Sequence, residues 1–166
     1  MGHSRRVLLV TNDFPPTVGG IQTYLHEFVQ TLDPEQLIVF ASTQDESATQ
    51  VFDRDAPFTI VRWPRRVMLP TPMTARRMQE IIRAWSIDTV WFGASTPLAL
   101  MASAARRAGA RKIVASTHGH EIGWSMIPGA RHVLRLIGSR VDMLTYVSRY
   151  AQMRTCRAFG PHPAWS

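Results

Sequence analysis

Apolar residues recur along the chain in two rhythms, short unbroken runs and longer stretches with helical spacing. Val7 to Val10 is an apolar run without polar alternation, as expected for a strand buried on both faces of a parallel sheet. After a Pro-Pro loop and a double glycine, Ile21, Tyr24, Leu25, Phe28, Val29 and Leu32 repeat at the spacing that gathers side chains onto one helix face. Further strand-like runs are Leu37 to Ala41, Phe58 to Trp63, Thr89 to Phe92, Lys112 to Thr117 and Met143 to Val147. Helical patterns lie between most of them. Met73 to Trp85 places Met78, Ile81, Ile82 and Trp85 on one stripe, Pro97 to Ala108 stops at Gly109, and another helix starts over Arg131 to Ile137. Ser148 caps a last helix through Ala158, whereas polar Asp45 to Ala56 predicts a loop and Pro64 to Pro72 a second connection. Strands alternating with helices predict an α/β fold, a Rossmann-like doubly wound parallel sheet whose ligands bind at the carboxyl ends of its strands.

The 166 residues, 45% of them apolar, suffice for one domain with a sizeable core. That domain is expected over residues 6–158. Residues 1–5 read as an extension or cloning remnant, and residues 159–166, with Gly160, Pro161, Pro163 and Trp165, as the start of an interdomain connection. No run of 18 apolar residues predicts a membrane span, and no secretory signal is visible. Cys156 is the only cysteine, which excludes an internal disulfide and fits a reducing compartment. Charge is uneven: residues 1–52 carry two basic and six acidic side chains, residues 53–166 seventeen basic and six acidic. Such asymmetry suits a face that meets anionic lipid, phosphate or nucleic acid.

Two places carry candidate chemistry. Gly19 and Gly20 stand where the first amides of a helix point outward, and without Cβ atoms they would let an anionic oxygen approach closely. A tight turn that needs glycine for its backbone angles explains the pair equally well. The G-x-G-x-x-G signature is absent, which argues against a nicotinamide cofactor. His118, in the stretch THGHE directly after a strand, falls on the same sheet edge, where it could bond a substrate hydroxyl or support developing positive charge. His118, His120 and Glu121 lack the spacing of a helical zinc motif, so no metal is expected, and no G-x-S-x-G elbow suggests a hydrolase.

The double-glycine entry and THGHE resemble the N-terminal domain of retaining glycosyltransferases of family 4, enzymes of two-lobed GT-B architecture. More closely, VTNDFPPTVGGIQTYL, VWFGASTPLAL, ASTHGHEIGWSM and YVSRY resemble the actinobacterial branch of that family that mannosylates phosphatidylinositol mannosides, with similarity from Arg6 to about Pro163. The resemblance implies α-1,6 transfer of mannose, with retained configuration, from GDP-mannose to a phosphatidylinositol monomannoside. It implies no metal or other cofactor. In family terms Gly19 and Gly20 approach the donor diphosphate or the acceptor, His118 lies beside the transferred sugar, and Asn12, Asp13 and Gln22 belong to the acceptor-side loop and helix start. The family's guanine contacts and its cationic clamp for the leaving diphosphate belong to a C-terminal lobe that this sequence lacks, so the chain alone is expected to be inactive or nearly so.

Arg62, Arg65, Arg66, Arg76 and Arg77, interleaved with Trp63, Val67, Met68 and Leu69, form a candidate patch for an anionic bilayer. Arg76, Arg77 and Glu80 could equally pair with one another on a solvated helix. A lipid acceptor implies peripheral attachment at the cytoplasmic face of the plasma membrane. Two alternatives stay open: a family 4 transferase with another sugar nucleotide or lipid, and a non-catalytic phosphate- or nucleic-acid-binding module. No helix-turn-helix or RNA-binding aromatic motif supports nucleic acid as a partner.

Overall fold

The computed structural model describes residues 5–161. Its elements follow the order β1 (Val7–Thr11), α1 (Gly20–Val29), β2 (Leu37–Ser42), α2 (Glu46–Asp55), β3 (Thr59–Trp63), α3 (Pro72–Ala84) and β4 (Thr89–Phe92). After a 3-10 turn at Leu98–Met101 come α4 (Ala102–Ala108), β5 (Lys112–Thr117), α5 (Glu121–Met126), α6 (Pro128–Gly138), β6 (Met143–Tyr146) and α7 (Arg149–Phe159). The six strands form one parallel sheet in the order β3-β2-β1-β4-β5-β6. The expectations for Met1 to Ser4, and for Pro163 and Trp165, lie outside the described residues.

Alternation along the strands divides the core in two. Leu8, Val10, Ile38, Phe40, Val90, Phe92, Ile113, Ala115 and Leu144 point to the face covered by α3, α4, α6 and α7, where they meet Met78, Ile82, Ala102, Ile137 and Phe159. Leu9, Val39, Ala41 and Trp91 point the other way, toward Leu25 and Val29 of α1 and toward Phe14 and Phe58. Over β4 to β6 that second face is an apolar groove of about 380 Å³, bounded by Trp91, Val114 and Met143 and edged by Tyr24 and Phe28. The α1 stripe read from the sequence is therefore only half covered. Leu25 and Val29 are buried, whereas Tyr24 and Phe28 remain 39% and 44% exposed along the groove.

One expected loop is a helix. Asp45 caps α2 by accepting the Ala48 N–H at 2.9 Å, and Phe52 packs beneath it against Phe14. Thr49 is the buried residue of α2, and so few inward positions leave a composition that reads as loop. Helix α6 begins at Pro128, ahead of the expected Arg131, because proline suits the first helical position.

Helices α6 and α7 cross at Gly138. A Cβ there would stand 2.0 Å from the Phe159 carbonyl oxygen, a backbone atom that cannot swing aside. Gly138→Ala should therefore destabilise the domain by about 2 kcal/mol, read as a lower urea midpoint at unchanged slope. An unchanged midpoint would contradict this close crossing.

Candidate active site

Strands β1 and β4 are neighbours, yet their connections leave on opposite faces of the sheet. Chain leaving β1 enters α1 on one face, and chain leaving β4 enters the Leu98–Met101 turn and α4 on the other. Divergence of this kind opens a crevice at the carboxyl edge of a parallel sheet, the usual seat of ligands in such folds. Asn12 and Asp13 follow β1 and His118 follows β5, so these expected residues share this rim, together with Gly93 after β4.

The two glycines differ. Gly19 has extended backbone at φ 175°, and Gly20 is absent from the positive-φ positions, so neither is required for left-handed geometry. A Cβ on Gly19 would fall 2.2 Å from Gln22 Oε1, whereas one on Gly20 would meet nothing within 4 Å. Gly19 thus makes room for the Gln22 side chain, and Gly20 leaves open space before the helix. No side chain caps α1, so its first-turn amides and the positive end of its dipole face that space.

Gln22 Nε2 donates to Asp13 Oδ1 at 3.2 Å, which joins the helix start to the loop after β1. Asn12 turns elsewhere: its Oδ1 accepts the Met68 N–H at 2.6 Å and its Nδ2 donates to the Met68 carbonyl at 2.9 Å. Both polar ends of the Asn12 amide are engaged in pinning the segment between β3 and α3 to the rim.

His118 lies across the crevice. Its Nε2 stands 2.5 Å from the Gly93 carbonyl oxygen. A carbonyl can only accept, so Nε2 carries a proton, and the tautomer this bond selects has its lone pair on Nδ1. Tyr24 meets the imidazole edge to face at 5.5 Å, which closes one side of the ring. The sequence reading missed Gly93. A Cβ there would press on Leu25 Cδ1 at 2.8 Å and Thr11 Cβ at 3.0 Å, so glycine lets α1 lie close to β4 while its carbonyl receives His118. Among the described residues no group of three or more His, Cys, Asp or Glu side chains is placed to hold a metal ion.

The expected arginine patch divides. Arg62 does not belong on its surface: Nη2 donates to Asp53 Oδ1 at 2.8 Å and to the Pro15 carbonyl at 2.7 Å, and Nη1 to the Ser42 carbonyl at 3.0 Å. Its guanidinium also lies over the Phe14 ring at 5.9 Å. An arginine saturated by inward acceptors fastens β3 and α2 to the Pro-Pro loop rather than meeting solvent. Trp63 and Met68 likewise pack into the core. Arg65, Arg66 and Arg76 are exposed, beside Val67, Leu69 and Met73. Arg77 is half-exposed and pairs with Glu80 at 3.1 Å, and Arg76 reaches the same carboxylate at 3.9 Å, so the expected pairing on this helix is present.

The family model for glycosyltransferase family 4 matches residues 18–164. The chain belongs to glycosyltransferase family 4. Among curated family members, the GDP-mannose-dependent monoacylated α-(1-6)-phosphatidylinositol monomannoside mannosyltransferase of Corynebacterium glutamicum is 58% identical over 165 residues, covering 99% of this chain and 43% of its own. A GDP-mannose-dependent α-(1-6)-phosphatidylinositol monomannoside mannosyltransferase of Mycolicibacterium smegmatis is 51% identical over 162 residues, covering 95% of this chain and 42% of its own. The chain thus spans less than half the length of these relatives. The crystal structure of Anabaena HepE with UDP and glucose superposes with a TM-score of 0.71 at 11% identity, over 98% of this chain and 43% of that one. Likeness at such low identity shows the Rossmann-like fold alone, matched over less than half of a longer chain.

Burial raises the Asp13 carboxyl pKa above its ordinary value, and His118 and His120 pull it partly back. A carboxyl with raised pKa binds its proton more tightly folded than unfolded, so its ionisation costs stability as pH rises through the folded pKa, and the cost vanishes below the unfolded value. Asp13→Asn keeps Oδ1 for Gln22 and should raise the urea midpoint at about pH 7, with the gain shrinking toward about pH 3. A gain independent of pH would contradict a strained Asp13 carboxylate.

Proposed function

We propose that this chain is the acceptor-side lobe of a retaining mannosyltransferase that moves mannose from GDP-mannose to a phosphatidylinositol monomannoside. What supports this reading is the convergence of the uncapped α1 amides and the His118 imidazole on one crevice, in a chain 58% identical to a relative named for that reaction. In this role the first-turn amides, with Gly20 leaving room, receive a phosphate oxygen of the donor. His118 Nδ1 accepts a hydrogen bond from a hydroxyl of the sugar under transfer, held in place by the opposite nitrogen. Asp13 and Gln22, linked to each other, offer polar groups to the inositol-bearing acceptor, and Asn12 acts by fixing the loop beside them. The leaving diphosphate needs a cationic clamp, which a second lobe would supply across the cleft. The chemistry requires neither metal nor organic cofactor from these residues.

The acceptor's lipid tail calls for a surface to hold a bilayer. Arg65, Arg66 and Arg76, with Arg77 at the margin, supply charge for anionic headgroups, and Val67, Leu69 and Met73 supply apolar contact at the same place. The Asn12 clamp on Met68 ties this segment to the rim, so a lipid engaged there is delivered next to Asp13 and Gln22. The site of action on this reading is the cytoplasmic face of the plasma membrane. No helix among the described residues is long and apolar enough to cross it.

The direct test replaces the matching N-terminal 43% of the Corynebacterium glutamicum relative with this chain and measures mannose transfer from GDP-mannose. The chimera should be active, and His118→Ala should lower kcat by about 100-fold with the fold intact. Near-normal transfer by that variant, or a folded chimera that transfers no mannose, would overturn the reading. In a second test the chain should sediment with vesicles containing phosphatidylinositol, weaken in salt, and lose about fivefold in affinity for each of Arg65→Glu and Arg66→Glu. Vesicle binding that these substitutions leave unchanged would remove the patch from the interface.

A further inference from the structure

Glu121 is fully buried at the start of α5. An unpaired carboxylate would not be tolerated in such a place, so its partners reveal its use. Oε2 accepts the backbone N–H groups of His118 at 3.2 Å and Gly119 at 3.1 Å. Oε1 accepts the Ser95 hydroxyl at 2.7 Å, and His120 Nε2 stands 3.5 Å from the same oxygen. His120 in turn lies 3.1 Å from Thr96 Oγ1. Gly119 occupies the left-handed region at φ 95°, so the carboxylate holds a turn that folds back toward its own side chain.

These partners come from two loops. Ser95 follows β4 by way of Gly93, whose carbonyl receives the His118 imidazole, and His118 and Gly119 follow β5. The loops are joined at three points, by the imidazole at the surface of the crevice, by the Glu121 carboxylate beneath it and by His120 against Thr96. The Ser95 N–H also donates to the Ser116 carbonyl at 2.8 Å, which fixes the loop after β4 against β5 independently of Glu121. What Glu121 adds is the attachment of the His118 backbone to that anchored loop. Gln, which retains one acceptor oxygen and gains a donor, would preserve part of the attachment, whereas Ala would abolish it.

We propose that Glu121 is the positioning residue that fixes the backbone and ring of His118 for transfer, a role that rests on the function assigned above. Glu121 is sealed from the crevice and acts only through His118. Two measurements separate this proposal from that reading. In the chimera, Glu121→Ala should lower kcat about 30-fold while KM for GDP-mannose stays within about twofold, and Glu121→Gln and Ser95→Ala should each lower kcat about threefold. In the chain itself, nitrogen NMR of the His118 ring should show one ring arrangement with a proton held on Nε2, which in Glu121→Ala gives way to exchange between arrangements.

A folded Glu121→Ala whose His118 spectrum matches the parent overturns the proposal, whatever the chimera does. An altered spectrum together with a chimera inactive on every donor would sustain the positioning role and defeat the transferase reading. If Glu121→Ala does not fold, Ser95→Ala and Glu121→Gln decide. Perturbed His118 resonances with a kcat loss in both support the proposal, and parental spectra and rates in both refute it.

Discussion

The bond from His118 Nε2 to the Gly93 carbonyl is the contact on which the crevice depends. It spans the ends of two adjacent strands and fixes which ring nitrogen bears hydrogen. Its acceptor belongs to a residue that must be small for α1 to approach the sheet. One residue position therefore sets both the closeness of the helix whose amides face the crevice and the tautomer of the imidazole opposite. Were Gly93 replaced by a larger residue, α1 would be pushed outward and the distance between the two candidate groups would change with it.

Around this bond the rim is built largely from polar side chains that satisfy backbone groups. Asn12 clamps Met68, Arg62 gathers the carbonyls of Pro15 and Ser42, and Glu121 holds the amides of His118 and Gly119. Each closes a loop that leaves the carboxyl edge of the sheet. Loops at such an edge have few apolar residues to bury, so side-chain to backbone bonds give them definition that packing alone would not. The Asp53 pairing of Arg62 serves the same end, since a guanidinium drawn inward needs an opposite charge beside it.

Much of this was legible in the sequence because it depends on periodicity. Largely apolar runs marked all six strands, since strands of a parallel sheet are covered on at least one face and flanked by neighbours. Helix α2 escaped because a helix that buries little but Thr49 and leans on Phe52 has the composition of a loop. At the site, His118 and the glycine pair were found through their place after strands, and their convergence followed from the order of the strands. The inward turn of Arg62 was not legible. An arginine in a basic stretch looks the same whether it faces lipid or three carbonyl and carboxylate partners supplied by β2, α2 and the Pro-Pro loop. Gly93 and Glu121 were likewise hidden, because what marks them is distance to residues remote in sequence.

The most direct test is a crystal structure of the chimera with GDP-mannose bound. If the crevice serves sugar transfer, a phosphate oxygen will lie within about 3 Å of a first-turn amide of α1, with the mannosyl ring against His118 Nδ1. A donor seated with its phosphates away from α1, or a sugar out of reach of His118, would contradict the assignment.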